Sequence, residues 1–295
     1  MDYYNEIKNE LVENEITKRA KDYSKNKSDL MHYYNVGKLL IDAGKHYGEG
    51  ILKEYSTKLS IDLNSKYDIS TLNKMRKFYS LIEKMATVSP NLSYSHYVEL
   101  LPINNINKIQ YYIRVTEEQN LSVRALRLKI KSKEYERLDN KTKNKLINNQ
   151  ETNILDLIKD PIVIKNNLNV NEISEKYLKK IILDDVESFM KELGSGYSFI
   201  GSEYTIKIGD NYNYIDLLLF NIKFNCYVVI ELKITELKKE HIGQIEVYMN
   251  YIDKNVKEIQ HDKTIGIIIC KKDNKLIMEY SSDKRIISRE FKLIY

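Results

Sequence analysis

Residues 214–233, YIDLLLFNIKFNCYVVIELK, are the most informative segment for the fold of the second half of this 295-residue chain. It holds two apolar runs of strand length around a short polar segment, which is the pattern of a β-hairpin. The first run contains Asp216, and the second ends with Glu231 and Lys233. Period-two geometry places Glu231 and Lys233 on one face, and a turn centred near Lys223 places Asp216 within about one residue of the position opposite Glu231. We therefore expect the three charged groups to converge at one end of a sheet.

These three groups suit the chemistry of a metal-assisted hydrolase. A carboxylate buried without a partner in an apolar strand is unfavourable, and two neighbouring carboxylates repel each other. A divalent cation such as Mg²⁺ keeps both ionised, and a lysine beside them can position an attacking water and help neutralise the transition state. The alternative is a hairpin end with an exposed Glu231–Lys233 pair and with Asp216 bonded to backbone amides. The spacing alone leaves both interpretations open.

The patterns on either side of the hairpin predict an α/β domain with a mixed sheet and flanking helices. Apolar residues recur at helical spacing before and after the hairpin, and further short apolar runs follow it. The predicted helices are residues 175–193 and 239–259, and the predicted strands are 197–200, 204–208, 214–220, 227–234, 264–270, 276–280 and 291–294.

The first half of the chain has a different texture. Residues 1–138 are predicted to form an all-α domain, because their apolar residues recur at spacings of three and four. Within it, two short helices at 52–63 and 70–82 could form a helix-turn-helix unit. The composition shifts to Asn and Lys over residues 139–172, which predicts a linker. The α/β domain would then occupy residues 173–295.

Positive charge is concentrated in the helical half of the chain. The whole sequence has 47 Lys and Arg against 42 Asp and Glu, and the net charge is +7 in residues 1–150 and −2 in the rest. A basic module of this kind suits a polyanion such as DNA. The alternative is a set of solvated helix faces in a lysine-rich chain. The residues predicted to bind nucleic acid are Lys74, Arg76, Lys77, Arg124, Arg127, Lys129, Lys131 and Lys133.

Several classes of protein are disfavoured by what the sequence lacks. No apolar run approaches the length of a membrane span, and the first residues show no secretory pattern. Cys226 and Cys270 are far apart, which argues against a disulfide framework or a cysteine zinc site. Neither of the glycine-rich phosphate-binding loops occurs, so no nucleotide triphosphate is expected as a partner. The composition predicts a cytoplasmic protein.

Motifs along most of the chain occur in a fixed order that resembles one nuclease family. After the hairpin come GQIEVYMNY at 243–251 and TIGIIIC at 264–270, while LNKMRKFY at 72–79 and LSYSHY at 92–97 lie in the helical half. Together they resemble the YhcG family of the PD-(D/E)XK superfamily, with its helical N-terminal domain and its C-terminal nuclease core. The resemblance implies a restriction-endonuclease-like fold for the second domain.

The resemblance also implies roles for individual residues. Asp216 and Glu231 would be metal ligands, and Lys233 would be the catalytic lysine. Gln244 and Tyr248, four residues apart on one helix face, resemble the Gln-x-x-x-Tyr element that supports the active site in related exonucleases. The implied cofactor is Mg²⁺, for which Mn²⁺ should substitute.

A further carboxylate is expected on the helix before the hairpin. Glu192 matches the family position best, and Glu187, one turn earlier, is its rival; either could equally be solvated surface. Two features depart from the family pattern. Ile215 replaces the proline that precedes the first ligand, and Tyr34 and Tyr94 stand where the family often has tryptophan.

The sequence therefore predicts a Mg²⁺-dependent deoxyribonuclease whose basic helical domain binds DNA. A homodimer would suit cleavage of both strands, although nothing in the sequence requires it. One alternative is a non-catalytic DNA-binding or scaffold protein with a nuclease-like fold. Another is an RNA nuclease, which would use the same chemistry.

Overall fold

The described part of the first unit is helical. The computed structural model describes residues 2–19, 25–85, 88–148, 150–166 and 173–294, with the backbone alone for 17–19 and 25–28. The chain divides into two units, Met1–Tyr135 and Glu136–Tyr295. The helices of the first unit are α1 (Tyr3–Arg19), α2 (Lys25–Tyr47), α3 (Ile51–Asp62), α4 (Ile69–Met85), α5 (Tyr94–Leu100), α6 (Ile106–Gln119) and α7 (Val123–Lys131).

Apolar residues at helical spacing build the core of this unit. Ile7 and Leu11 from α1, Val36 and Leu40 from α2, and Leu72 from α4 are at most 1% exposed and belong to one cluster. Each pair is four residues apart, so it lies on one face of its helix. The all-α prediction for this half is therefore confirmed.

The second unit is a six-stranded sheet with helices on both faces. Its elements are α8 (Asn140–Ile147), β1 (Ile162–Lys165), α9 (Glu175–Asp184), α10 (Val186–Leu193), β2 (Tyr197–Ile208), β3 (Asn211–Asn221), β4 (Cys226–Glu236), α11 (Lys239–Asn255), β5 (Asp262–Lys272), α12 (Lys275–Glu279) and β6 (Ile286–Ile294), with a short 3-10 turn at Leu155–Leu157. Another 3-10 turn, Tyr135–Arg137, begins at the last residue of the first unit.

The sheet is mixed, as predicted. Its strand order is β1-β6-β5-β4-β3-β2. The β2–β3 and β3–β4 pairs are antiparallel, whereas β4–β5, β5–β6 and β1–β6 are parallel. Strand β4 is buried on both faces: Val228 and Ile230 lie in the core formed with α9 and α10, and Val229 lies in the core formed with α11. This explains its near-continuous apolar sequence.

Some predicted elements are wrong in detail. Residues 276–280, predicted as a strand, lie in helix α12 and the residue after it, where the Asn274 side chain accepts a hydrogen bond from the Ile277 amide and so caps the helix. The two short strands at 197–208 are one strand, β2. The single helix at 175–193 is two helices, because Asp185 breaks the helical backbone and caps α10 through the Ser188 amide.

The expected linker, residues 139–172, contributes ordered elements to the second unit. It contains α8 and also β1, in which Ile162 pairs with Phe291 of β6. The composition of the segment conceals this four-residue strand, because Asn and Lys surround it. Residues 149 and 167–172 of the expected linker lie outside the described residues. No helix in the described ranges combines the length and apolar character needed to cross a bilayer.

Helix α11 packs directly on the backbone of β5 at Gly266. A Cβ atom at this residue would lie 2.6 Å from Met249 Sδ and 2.9 Å from Ile245 Cδ1. Both distances are shorter than real contacts, so an added side chain would force the buried Met249 and Ile245 side chains of α11 to shift.

We predict that Gly266→Ala destabilises the protein by about 1–3 kcal/mol through overpacking. Gly243→Ala is the matched control, because Gly243 lies on α11 with open space around its Cα. It should be neutral or stabilising by about 0.5–1 kcal/mol, since alanine favours a helix over glycine. Urea unfolding of both variants measures the difference. Equal stability of the two variants would contradict the packing described here.

Candidate functional site

The candidate site lies where β3 and β4 separate. The two strands pair from Leu217 opposite Ile230 to Asn221 opposite Cys226. Beyond Leu217, β3 continues in pairing with β2 alone, whereas β4 continues beyond Ile230 in pairing with β5. Asp216 and Glu231 are thus the first residues past the last β3–β4 pair, one on each side of a fork.

Backbone amides orient both carboxylates toward this fork. The Leu232 amide donates a hydrogen bond to Asp216 Oδ2 at 2.9 Å, and the Asp216 amide donates to Glu231 Oε1 at 3.5 Å. Each strand therefore supplies a donor to the acid of the other strand. The prediction that Asp216 and Glu231 converge is matched by this geometry.

The backbone alternation of β3 breaks at Asp216. Ile215 and Leu218 belong to the core formed with α11, whereas Leu217 belongs to the opposite core. In a regular strand Ile215 and Leu217 would share a face. Glu203, level with Asp216 on β2, has a φ of +48°, in the left-handed region that non-glycine residues seldom adopt. The hairpin is therefore locally distorted on both strands at the candidate site.

Glu231 is almost inaccessible to solvent. Its side chain is 2% exposed. Burial and the neighbouring Asp216 charge raise the pKa of Glu231 to about 7, although Lys233 opposes the shift. Lys233 Nζ lies 3.3 Å from Glu231 Oε2. The Asp216 charge thus disfavours the ionised form of Glu231, which is the condition that a bound cation relieves.

The site also contains an acid that was not predicted, Glu175 at the start of α9. Its Oε2 atom lies 4.0 Å from Lys233 Nζ. The feature of the sequence that could have indicated Glu175 is Ser174. Its hydroxyl accepts a hydrogen bond from the Tyr177 amide and caps α9, so Glu175 lies in the first turn of that helix. His241 of α11 is near the same lysine, and burial together with the Lys233 charge lowers the pKa of His241.

A second lysine that was not predicted also reaches the fork. Lys179 of α9 places its Nζ atom 3.0 Å from Asp216 Oδ1 and 2.9 Å from Glu203 Oε1. Burial disfavours the charged ammonium, but the hydrogen bonds to Glu203 and Asp216 outweigh burial and raise the pKa of Lys179. The side chain is therefore a charged ammonium at neutral pH.

The helix acid expected from the sequence lies elsewhere. Glu192 accepts hydrogen bonds from Arg137 and, at 2.9 Å, from the Val163 amide of β1. It therefore joins the first residues of the unit to the sheet and does not face the fork. Its rival Glu187 is exposed and pairs with Lys191 on the surface of α10. Neither residue is brought to Asp216 and Glu231.

Gln244 and Tyr248 are in contact with each other on α11. Gln244 Nε2 donates to the Tyr248 hydroxyl at 3.0 Å, and Tyr248 is 5% exposed within the core on that face of the sheet. Among the contacts made by the described residues, none joins this pair directly to Asp216, Glu231 or Lys233.

The fork offers a small set of oxygen ligands. Within the described ranges, no group of three or more His, Cys, Asp or Glu side chains is arranged to hold a metal ion. The available set is Asp216 and Glu231, to which water and substrate oxygens would have to be added. Mg²⁺ is commonly bound through one or two carboxylates together with waters and phosphate oxygens, so the residues present fit such an ion.

The predicted nucleic-acid-binding residues of the first unit fall into two groups. Three are ion-paired within the unit: Arg76 with Glu49, Arg127 with Glu99, and Lys129 with Glu134. The remaining five are exposed: Lys74, Lys77, Arg124, Lys131 and Lys133.

The basic segments of α4 and α7 face a common acid on α5. The hydrogen bonds and charge of Arg127 lower the pKa of Glu99, and the charge of Lys74 adds to this effect. The two segments are thus close enough to act on one carboxylate. Their exposed lysines can contribute to one positively charged region of the unit.

Both halves of the chain match described sequence families. Residues 155–293 match the family described as YhcG PDDEXK nuclease domain, and residues 6–137 match the family described as DUF1016 N-terminal domain. The YhcG nuclease-family protein of Escherichia coli (strain K12) is 25% identical over 282 residues, which cover 81% of this chain and 75% of that protein.

Solved structures resemble part of the chain more distantly. A repair endonuclease from Pyrococcus abyssi is 17% identical, with a TM-score of 0.30, over 43% of this chain and 49% of its own. The EndoMS–dsDNA2 complex is 19% identical, with a TM-score of 0.29, over 44% of this chain and 48% of its own. These matches span about half of each solved chain, and the fold assignment depends on the family matches and on the sheet.

The order of the two matched domains, helical and then α/β, is the order in which the two units follow each other along the sequence. The six-stranded mixed sheet lies in the region that matches the YhcG PDDEXK nuclease domain. The chain therefore belongs to the YhcG-type family of PD-(D/E)XK nucleases.

Proposed function

We propose that this nuclease is a metal-dependent deoxyribonuclease whose reaction takes place at the β3–β4 fork. The observation that carries the proposal is the pairing of a nearly inaccessible Glu231 with Asp216 and Lys233 at the point where the strands separate. Two adjacent carboxylates reduce stability unless a cation joins them. A scaffold without catalysis would gain stability by losing one of them.

Hydrolysis of a phosphodiester forms a bond from a water oxygen to phosphorus and breaks one ester bond, and the departing alkoxide takes up a proton. A bound Mg²⁺ would supply positive charge to the phosphate and acidify a water. Asp216 and Glu231 would hold the ion through carboxylate oxygens. Lys233, as an ammonium group 3.3 Å from Glu231, would donate hydrogen bonds to the attacking water or to a phosphate oxygen and so stabilise the developing charge.

Glu175 takes the role that the sequence had suggested for Glu192. It lies at the start of α9, with its Oε2 atom 4.0 Å from Lys233 Nζ, so it can orient the ammonium group or accept a hydrogen bond from the water. Gln244 and Tyr248 would support the site through α11, which packs on the neighbouring strands. Each of these roles can be tested by substituting the residue.

The exposed lysines of the first unit support binding of a polyanion, and we propose DNA as that polyanion. The phosphodiester chemistry of the fork is the same for RNA. Parallel assays on DNA and RNA of one sequence therefore accompany every measurement below, and exclusive cleavage of RNA would replace the proposed substrate while leaving the site unchanged.

We expect Asp216→Asn and Lys233→Met to reduce the rate of Mg²⁺-dependent DNA cleavage at least ~100-fold, because the first removes an anionic ligand of the ion and the second removes the positive charge that stabilises the reacting phosphate. EDTA should abolish cleavage by the wild-type protein, and Mn²⁺ should restore it. Glu187→Gln, on the surface of α10, is the matched control and should cleave at the wild-type rate. Equal rates for the wild type and Asp216→Asn would refute the proposed site.

The two helix acids should behave in opposite ways. Glu175→Gln should slow cleavage at least ~10-fold with little change in the melting temperature, because it faces Lys233 from an exposed helix start. Glu192→Gln should lower the free energy of unfolding by about 3 kcal/mol, since it removes the carboxylate charge that faces the mostly buried Arg137, while cleavage well below the melting temperature persists. If Glu192→Gln slows cleavage and Glu175→Gln only lowers the stability, Glu192 is the acid that acts at the site.

Glu231→Gln should stabilise the metal-free protein at high pH. The carboxyl pKa is about 7 in the folded state against an ordinary 4.5, so its contribution to stability is fully present below pH 4.5 and is lost as the pH rises through 7. The gain from glutamine should therefore grow between pH 4.5 and 8 to about 3 kcal/mol at most. Denaturant unfolding in EDTA at both pH values measures it, and a gain independent of pH would contradict the burial described.

Replacing Lys74, Lys77, Lys131 and Lys133 together with alanine should weaken DNA binding and make it less sensitive to salt. The slope of log affinity against log salt concentration should fall by roughly 0.9 for each phosphate that the variant no longer neutralises. Lys38→Ala combined with Lys53→Ala is the control, because both lysines are exposed on other helices of the unit. An unchanged slope in the quadruple variant would place the DNA-binding surface elsewhere.

A further inference from the structure

Lys179 occupies a position that the proposed reaction does not use. Its side chain, on α9, is 15% exposed, and its Nζ atom is shared between Asp216 Oδ1 and Glu203 Oε1 at 3.0 and 2.9 Å. A lysine this inaccessible is uncommon unless carboxylates surround it. Its first partner is a proposed metal ligand, and its second partner is not.

Each carboxylate oxygen of Asp216 already accepts a hydrogen bond. The Leu232 amide bonds to Oδ2, and Lys179 bonds to Oδ1. A cation bound by this carboxylate would therefore lie beside the ammonium group or take its place. Two positive charges at one carboxylate repel each other strongly at such short distances, so binding of a cation favours movement of Lys179 away from Asp216.

Glu203 is placed to receive the displaced ammonium group. It is level with Asp216 on the neighbouring strand, and its side chain is 66% exposed. Its left-handed backbone, with a φ of +48°, is unfavourable for a residue with a Cβ atom. Glycine or asparagine would adopt this backbone more readily, so the conformation alone does not explain a glutamate here.

We propose that Lys179 is an exchangeable counter-ion of the site: it neutralises Asp216 in the metal-free protein and is held by Glu203 alone once a divalent cation binds Asp216. The inference rests on the proposed function, since it requires a cation at the fork. It assigns positioning roles to two residues, Lys179 and Glu203, of which Glu203 acts only through Lys179.

The test is Mn²⁺ binding to the full chain in the absence of DNA, followed by electron paramagnetic resonance. Lys179→Met should bind Mn²⁺ about tenfold more tightly than the wild type, because the competing ammonium is gone. Glu203→Gln should bind it several-fold more weakly, because Lys179 then depends on Asp216 alone. The double variant should bind like Lys179→Met, because Glu203 has no role without the lysine.

Two further variants distinguish the effect of the Lys179 charge on Mn²⁺ binding from the effect of its side-chain packing. Lys179→Arg keeps the positive charge and should not show the tighter binding. Lys180→Met removes an exposed lysine from the adjacent position of α9 and should bind Mn²⁺ like the wild type. Melting temperatures in EDTA identify any variant that does not fold, and Glu203→Gln, which alters an exposed side chain, then carries the test by itself.

The outcomes distinguish the two proposals. If the wild type binds no Mn²⁺, or if Asp216→Asn binds it as tightly as the wild type, the proposed metal site is wrong. If Asp216→Asn loses binding but Lys179→Met matches the wild type, only the counter-ion role is overturned. If Glu203→Gln also weakens Mn²⁺ binding in a protein that carries Lys179→Met, Glu203 acts on the cation directly. This result would overturn the counter-ion role too.

Discussion

The placement of two carboxylates at the fork between β3 and β4 is the constraint on which the candidate site depends. Asp216 and Glu231 stand close enough for each strand's amide to bond the acid of the other strand. The Glu231 side chain is almost inaccessible to solvent, so the electrostatic repulsion between the two carboxylates is weakly screened. The described contacts around the pair reduce this repulsion, through Lys179 on the α9 side and Lys233 on β4.

The fold provides this fork by combining two kinds of strand pairing. Antiparallel pairing joins β3 to β4 only as far as Leu217 and Ile230, whereas parallel pairing with β5 continues along β4 beyond that point. Strand β3 pairs with β2 on both sides of Asp216, and the backbone distortion at Glu203 and Asp216 lies at the level of the fork. Close packing of α11 on Gly266 of β5 fixes the strand behind the site.

Local patterns in the sequence were sufficient to predict that the Asp216, Glu231 and Lys233 side chains converge, although the spacing alone left their role open. Asp216, Glu231 and Lys233 were predicted because they interrupt apolar strands, and strand period and hairpin symmetry are local properties. The residues around them could not be found in this way. Glu192 was expected at the site, but it pairs with Arg137, 55 residues earlier, and Glu175 reaches Lys233 from another element. Such contacts depend on how elements pack, and a solvated glutamate on a helix has no distinguishing local signal.

A crystal structure grown in Mn²⁺, with the ion located by its anomalous scattering, would test the metal site most directly. If Asp216 and Glu231 bind one ion, a peak should lie within about 2.5 Å of carboxylate oxygens from both residues, between the separating strands. A fork that stays empty at saturating Mn²⁺, or an ion held by one acid at a different place in the unit, would contradict the proposed metal site.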